Sequence, residues 1–138
     1  MDNYINLALE FEAPEGAYSD SKTKLQSTQT IRLLHSIIGV SGEAGELLDQ
    51  IKRHLYYSKD LDLINLKEEF GDMLWYISLG IDAIAKMENK NSNDLEREIK
   101  ELNISKLSVR YANRTFSAEQ ALNRDIDEER SALESSEE

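Results

Sequence analysis

The chain is predicted to be all-α, a bundle of four to five helices that associates into an oligomer. Three observations predict it. Apolar residues recur at helical rather than alternating spacing, from Ile31 to Leu55 and again from Leu66 to Ile84. Turn-forming residues are scarce, with one Pro and six Gly in 138 residues. Several of the helices carry glycine-notched and aromatic faces, which would leave apolar surface uncovered in a single copy.

A chain of 138 residues is long enough for one core and too short for two. One domain over residues 1–130 is therefore expected, followed by an acidic, frayed tail over 131–138. Residues 2–12 read as a short amphipathic helix with Tyr4, Ile5, Leu7, Ala8 and Phe11 on its apolar side, ended by Pro14 and Gly16. Residues 17–27 are polar and show no clear period. A long helix starts near Thr28, with Ile31, Leu34, Ile37, Ile38, Leu47, Leu48, Ile51 and Leu55 as apolar positions. It carries Gly39, Gly42 and Gly45, each costing about 1 kcal/mol relative to Ala. Such a run implies a close approach to this backbone, by a neighbouring helix or by a ligand.

The polar stretch from Tyr57 to Asp62 is a turn, and the next helix runs from about Leu63 to Met87. Leu66, Phe70, Met73, Leu74, Ile77, Ile81 and Ile84 form its expected buried stripe, and Trp75 and Tyr76 read as core or subunit-contact residues. Asn89 to Asn93 form a linker in which Asn93 or Ser92 can cap a fourth helix over about Asp94 to Arg110. That helix places Asn103, Lys106 and Arg110 on one polar stripe. Ser117 caps a last helix, and Gln120 can complete the capping box.

Composition narrows the function. The chain has no Cys, which removes disulfides, thiol chemistry and zinc–thiolate sites and makes a reducing cytoplasm the simplest home. The N-terminus lacks the basic start and apolar core of a signal peptide, and no apolar run approaches a membrane span. A net charge of −11 argues against a nucleic-acid duplex or an anionic membrane as partner. A small anionic ligand remains compatible if a metal mediates.

Two acidic signatures supply that metal site. Glu43-Ala44-Gly45-Glu46 and Glu69-Phe70-Gly71-Asp72 each set two carboxylates three residues apart, on one helical face. If the chain reverses near Ser58, the first pair lies about 14 residues before the turn and the second about 12 after it. Both pairs then sit at similar height on antiparallel helices, and four carboxylates converge. Two unit charges about 5 Å apart at an effective dielectric near 20 repel by roughly 3 kcal/mol. Protonation or a cation must relieve the cluster. Oxygen-only ligands favour Mg²⁺, with Mn²⁺ as substitute.

Other metal readings fail. A di-iron bundle needs Glu three residues before His, where His35 and His54 have Arg32 and Ile51. A calcium loop starting at Asp60 would need Gly and Glu where Asn65 and Gly71 stand. There is no phosphate-binding glycine loop of either common type, and no Ser/His/Asp grouping. The acidic pairs and the later basic stripe are complementary: carboxylates hold metal, metal binds phosphate oxygens, and Lys106 and Arg110 neutralise the remaining charge. Asn103 can donate to a bridging oxygen, and Lys52 can reach in only from the helix edge. With two or more metals, one carboxylate can orient and deprotonate a water for in-line attack on phosphorus. The reaction class is metal-dependent hydrolysis of a phosphoanhydride. His35, nearly on the azimuth of Gly39, Gly42 and Glu46, could face whatever the metal holds.

Three segments together, Gly42 to Leu47, Glu69 to Tyr76 and Asn103 to Tyr111, resemble the MazG-like, all-α nucleoside triphosphate pyrophosphohydrolases. Leu34-His35 before the first and Ala121 to Asp125 after the third add to the likeness, which spans about Leu33 to Arg130 and is nearest to single-domain, phage-type members. The resemblance implies cleavage of a (deoxy)nucleoside triphosphate between the α and β phosphates, giving a monophosphate and pyrophosphate in nucleotide-pool control. It implies metal ligation by Glu43, Glu46, Glu69 and Asp72, and phosphate contact by Lys106, with Asn103, Arg110 and Tyr111 beside it. Many members have Glu just before the first motif, where this chain has Gly42; water activation then falls to Glu46 or Glu43. It also implies a homo-oligomer, a tetramer first and a dimer second, in the cytoplasm, or the host's if phage-encoded. The alternative is a non-catalytic helical assembly module that binds metal or nucleotide without turnover. Which base and sugar are preferred stays open; His35 and the N-terminal segment are the candidates to read the base.

Overall fold

A computed structural model of the chain describes residues 4–134, and among them every regular element is a helix. The order is α1 (Tyr4–Leu9), α2 (Glu15–Lys24), α3 (Thr28–Tyr57), α4 (Leu63–Glu88), α5 (Ser92–Arg110), α6 (Ala118–Leu122) and α7 (Ile126–Glu134). The all-α expectation holds. The number of helices exceeds the expected four to five because the chain is helical in two places where apolar periodicity is weak.

The first is α2, largely in the polar stretch that shows no clear period. Its signal is charge, not apolar spacing: Glu15 sits in its first turn and Lys22 and Lys24 in its last, each favourable against the helix dipole. Pro14 serves as the residue before this helix as well as the stop for the one before it. α1 ends at Leu9, short of the expected Glu12. The expected start at Asp2 lies outside the described residues. The second place is the C-terminal region, where the expected last helix is two. Ser117 accepts from Gln120 N (3.3 Å) as foreseen, but α6 stops at Leu122 and α7 begins anew at Ile126. The tail expected from residue 131 thus starts inside α7, while 135–138 lie outside the described residues.

Packing groups the chain into two compact units, Met1–Met87 and Glu88–Glu138. In the first unit α3 and α4 form an antiparallel hairpin. Ser27 opens α3 by accepting from Thr30 N (3.4 Å). Ser58 closes it in the left-handed conformation (φ 51°), with Lys59 N donating back to Arg53 O at 3.3 Å. Asp62 then accepts from the backbone N–H of Ile64 and Asn65 (3.0 and 3.1 Å), which fixes where α4 starts.

Contacts along the hairpin set its register. Arg32 meets Asp82 (2.5 Å), Ser36 donates to the Tyr76 carbonyl (2.7 Å), and Gln50 donates to Asn65 nearer the turn. Two glycines make the close approach possible. A Cβ on Gly39 would clash with the Tyr76 ring, and one on Gly80 would lie 2.5 Å from Ser36 Oγ. The neighbouring helix therefore accounts for Gly39, whereas among the described residues, the local helix backbone aside, no atom lies within 4 Å of a Cβ built on Gly42 or Gly45.

The expected buried stripe of α4 needs correction. Leu66, Met73, Ile81 and Ile84 are half-buried, but Phe70, Leu74 and Ile77 are exposed, as is Trp75 at 58%. The buried hydrophobics among the described residues are Ala83, Ala85 and Leu95. Apolar periodicity marked these faces correctly as apolar, but it did not show that Phe70, Leu74 and Ile77 would stand exposed.

In the second unit, α5 packs on α7. The cap of α5 is Asn91, not the expected Ser92 or Asn93: its side chain accepts from the N–H of Asn93 (2.9 Å) and Asp94 (3.4 Å). Glu129 on α7 is 3% exposed and lies between two guanidiniums. Arg110 donates to it through Nε and Nη2, both at 2.8 Å, and Arg124 through the same atoms at 3.2 and 2.7 Å. Both bidentate grips favour the ionised carboxyl, so Glu129 is held far below its ordinary value, with Arg110 the larger cause.

Candidate metal centre

The antiparallel register of α3 and α4 brings acids on the two helices face to face. One carboxylate oxygen each from Glu43, Glu69 and Asp72 lies within 4.8 Å of the others. The expected convergence of four carboxylates is thus a convergence of three. Glu46, one turn along from Glu43, is outside the group, though its charge still acts on Glu43.

The three environments differ. Glu69 is buried at 6% exposure, Glu43 is half-buried, and Asp72 is open to solvent. Burial is the largest influence on Glu43, followed by a hydrogen bond shared with Glu69 and then the charges of Glu46, Asp72 and Glu69; all hold its carboxyl above the ordinary value. Glu69 accepts from the Asn65 amide (Nδ2 to Oε1, 2.7 Å), a neutral donor. No Lys, Arg or His among the described residues forms an ion pair with Glu43, Glu46, Glu69 or Asp72.

This donor set fits a hard divalent cation. It offers only carboxylate oxygens, one of them buried without a counter-charge, and an open side at Asp72 where water or substrate oxygens could also approach a bound cation. Mg²⁺ commonly binds through one or two carboxylates plus waters and phosphates, so three carboxylates suffice.

The remaining candidates have the following surroundings. His35 is exposed, its ring edge-on to Tyr76 with centroids 5.6 Å apart. Lys52 pairs with Asp49 at 2.5 Å. In the second unit, Lys106 is half-buried and Asn103 exposed, and neither has a hydrogen-bond or ion-pair partner among the described residues. Arg110 is committed to Glu129. Tyr111 packs against Phe116, centroids 5.8 Å apart, on the wall of a cavity of about 390 Å³ shared with Ile104, Leu107 and Arg114.

Sequence reasoning missed two polar residues beside the acids, Gln50 and Asn65. Both carry uncharged amides with no motif spacing, and only the register of the two helices shows that they meet. It also missed the role of Glu129, which in so acidic a stretch reads as a solvated charge.

The family model of the MazG nucleotide pyrophosphohydrolase domain matches residues 34–115, more than half of the chain and the whole stretch that carries the acidic trio. No curated protein and no solved structure matches the chain. No helix among the described residues is long and apolar enough to cross a membrane.

Proposed function

Because the chain belongs to the MazG nucleotide pyrophosphohydrolase family, we propose that it hydrolyses a (deoxy)nucleoside triphosphate between the α and β phosphates, with Mg²⁺ as cofactor. The observation that carries this reading is Glu69, a buried carboxylate grouped with Glu43 and Asp72 and lacking a basic partner among the described residues. Glu43, Glu69 and Asp72 would hold the metal, with Glu46 as a further ligand or as the group facing the water. A bound Mg²⁺ supplies charge neutralisation and Lewis acidity toward the phosphate oxygens.

The chain's own residues would do the rest. Glu43 or Glu46 takes a proton from water as its oxygen bonds to phosphorus. The bond to the bridging oxygen breaks, and that oxygen leaves with the electron pair on pyrophosphate or on the monophosphate. Lys106 and Asn103, unpartnered among the described residues, are the first choice for phosphate contact. Arg110 and Lys52 would have to leave Glu129 and Asp49 to take part, and Tyr111 would have to leave Phe116. His35 is proposed to meet the base.

A homo-oligomer belongs to the same reading, a tetramer first and a dimer second. Its support is the exposed apolar face of the hairpin, including Ile38 at 60%, Leu48 at 70% and Leu74 at 63%. Light scattering during gel filtration measures this; a monomer at all concentrations rejects it.

The test of function is a panel of ribo- and deoxyribonucleoside triphosphates with Mg²⁺ or Mn²⁺, with products identified. Monophosphate and pyrophosphate from at least one substrate, abolished by EDTA, is the expected result. No product from any substrate, with EDTA lowering the melting temperature, would instead leave a metal-binding helical module.

A further inference from the structure

Beside the acidic trio the hairpin carries a second polar rung. Gln50 lies two helical turns after Glu43 on α3, and Asn65 lies one turn before Glu69 on α4, so each shares a face with its acid. Both amides are half-buried. Gln50 Nε2 donates to Asn65 Oδ1, and Asn65 Nδ2 donates to Glu69 Oε1 at 2.7 Å. The backbone N–H of Asn65 is itself held by Asp62 at 3.1 Å, which anchors this residue in the first turn of α4.

From this arrangement we infer that Asn65, with its amide orientation locked by Gln50, is a positioning residue for Glu69 as a metal ligand. An asparagine amide has a donor end and an acceptor end, and the two can exchange by a half-turn of the side chain. With Gln50 donating to the oxygen, the amino end is left to face Glu69. A donor there suits the ionised, acceptor-only carboxylate, which is the form a cation needs. It also occupies one carboxylate oxygen and limits rotation of a side chain that would otherwise sample several rotamers. Losing a hydrogen bond that orients a metal-binding side chain typically costs about 10- to 100-fold in metal affinity. The inference rests on the metal reading proposed above.

The bland possibility is that Gln50 and Asn65 merely tie α3 to α4. The two roles separate when Mn²⁺ alone is titrated, by calorimetry or electron paramagnetic resonance, into the wild type, Gln50→Leu, Asn65→Leu and the double variant. Melting temperatures are read in EDTA alongside. Positioning predicts that Asn65→Leu weakens Mn²⁺ binding by about 10- to 100-fold. Gln50→Leu weakens it less, and the double variant is no weaker than Asn65→Leu alone, because Gln50 acts through Asn65. A tie between helices predicts lower melting temperatures in EDTA for every variant with Mn²⁺ affinity within about twofold of wild type, and that result overturns the inference. Should Asn65→Leu fail to fold, Gln50→Leu decides by the same criterion. The metal reading fails separately, if wild type binds no Mn²⁺ or if Glu69→Gln binds it as tightly as wild type; either result removes the relay too.

Discussion

Glu69 and Glu129 are both buried glutamates on helices, yet their surroundings are opposite. Glu129 is enclosed by Arg110 and Arg124, each giving it two hydrogen bonds, so its charge is answered within the chain. Glu69 receives a neutral amide hydrogen from Asn65, shares a hydrogen bond with Glu43, and has two acids, Glu43 and Asp72, for neighbours. Burying an ionised carboxylate without a counter-charge costs several kcal/mol even after relaxation. The chain meets that cost internally at Glu129 and leaves it open at Glu69. A group whose charge is balanced at home needs no ligand; under the metal reading proposed above, a group left unbalanced among like charges is where a cation would bind. Family membership and this asymmetry point the same way.

The sharpest way to break the comparison is to remove the acids one at a time. Glu69→Gln and Asp72→Asn keep side-chain size and remove charge, and each is expected to lower kcat/KM by at least about 100-fold, since even outer contacts of a metal site are worth 10- to 100-fold. The same changes relieve repulsion, so the melting temperature in EDTA should hold or rise. A Glu69→Gln enzyme with near-normal turnover would mean that its buried charge is not the one the reaction uses.

Next in size is the thermal response to metal. With Mg²⁺ at about 100 times its dissociation constant, linkage gives about 2.7 kcal/mol of added stability, several degrees in melting temperature. The wild type should show that rise in a calorimetric scan. Glu69→Gln should not, and Glu129→Gln should show it undiminished.

Glu129→Gln tests the other half. It removes the charge that both arginines hold, so the melting temperature should fall by several degrees without loss of Mg²⁺ binding. Its pH dependence has a definite sign. The folded carboxyl is held below the unfolded value near 4.5, so its stabilising effect is fully present above that value and is lost as pH falls through the folded one. The gap in melting temperature between wild type and Glu129→Gln should therefore be flat from neutral pH down to about 4.5 and close below it. A gap that closes on going alkaline instead would contradict the double arginine grip.

How far this was readable in the sequence follows from what each feature needs. The starts of α3 at Thr28 and of α4 at Leu63 were legible because long amphipathic periods end at polar turn residues. The acidic trio was legible because spacing along a helix and distance from a turn are both arithmetic on residue numbers. Glu46 separated from it because height on a helix does not specify azimuth across a pair. Asn65 and Gln50 were not legible, since an amide has no motif until its partner's register is known. The choice of Asn91 over Ser92 and Asn93 was also closed to sequence, as all three side chains can cap. Phe70, Leu74 and Ile77 were rightly read as apolar but wrongly as covered, because periodicity gives a face and not what lies on it.

The smallest expected effects compare two lysines by the same logic of answered and unanswered charge. Lys52 already holds Asp49 at 2.5 Å, whereas Lys106 is half-buried with no partner among the described residues. A charged hydrogen bond to a phosphate oxygen is worth about 1.5–3 kcal/mol, so Lys106→Ala should cost about 10- to 100-fold in kcat/KM. Lys52→Ala breaks a surface pair of little value and should change kcat/KM by less than about threefold. Steady-state kinetics on the best triphosphate decides between them. If Lys52→Ala proves the more damaging, an ion pair in the free protein is no guide to which cations the substrate recruits, and Arg110 would deserve the same reconsideration.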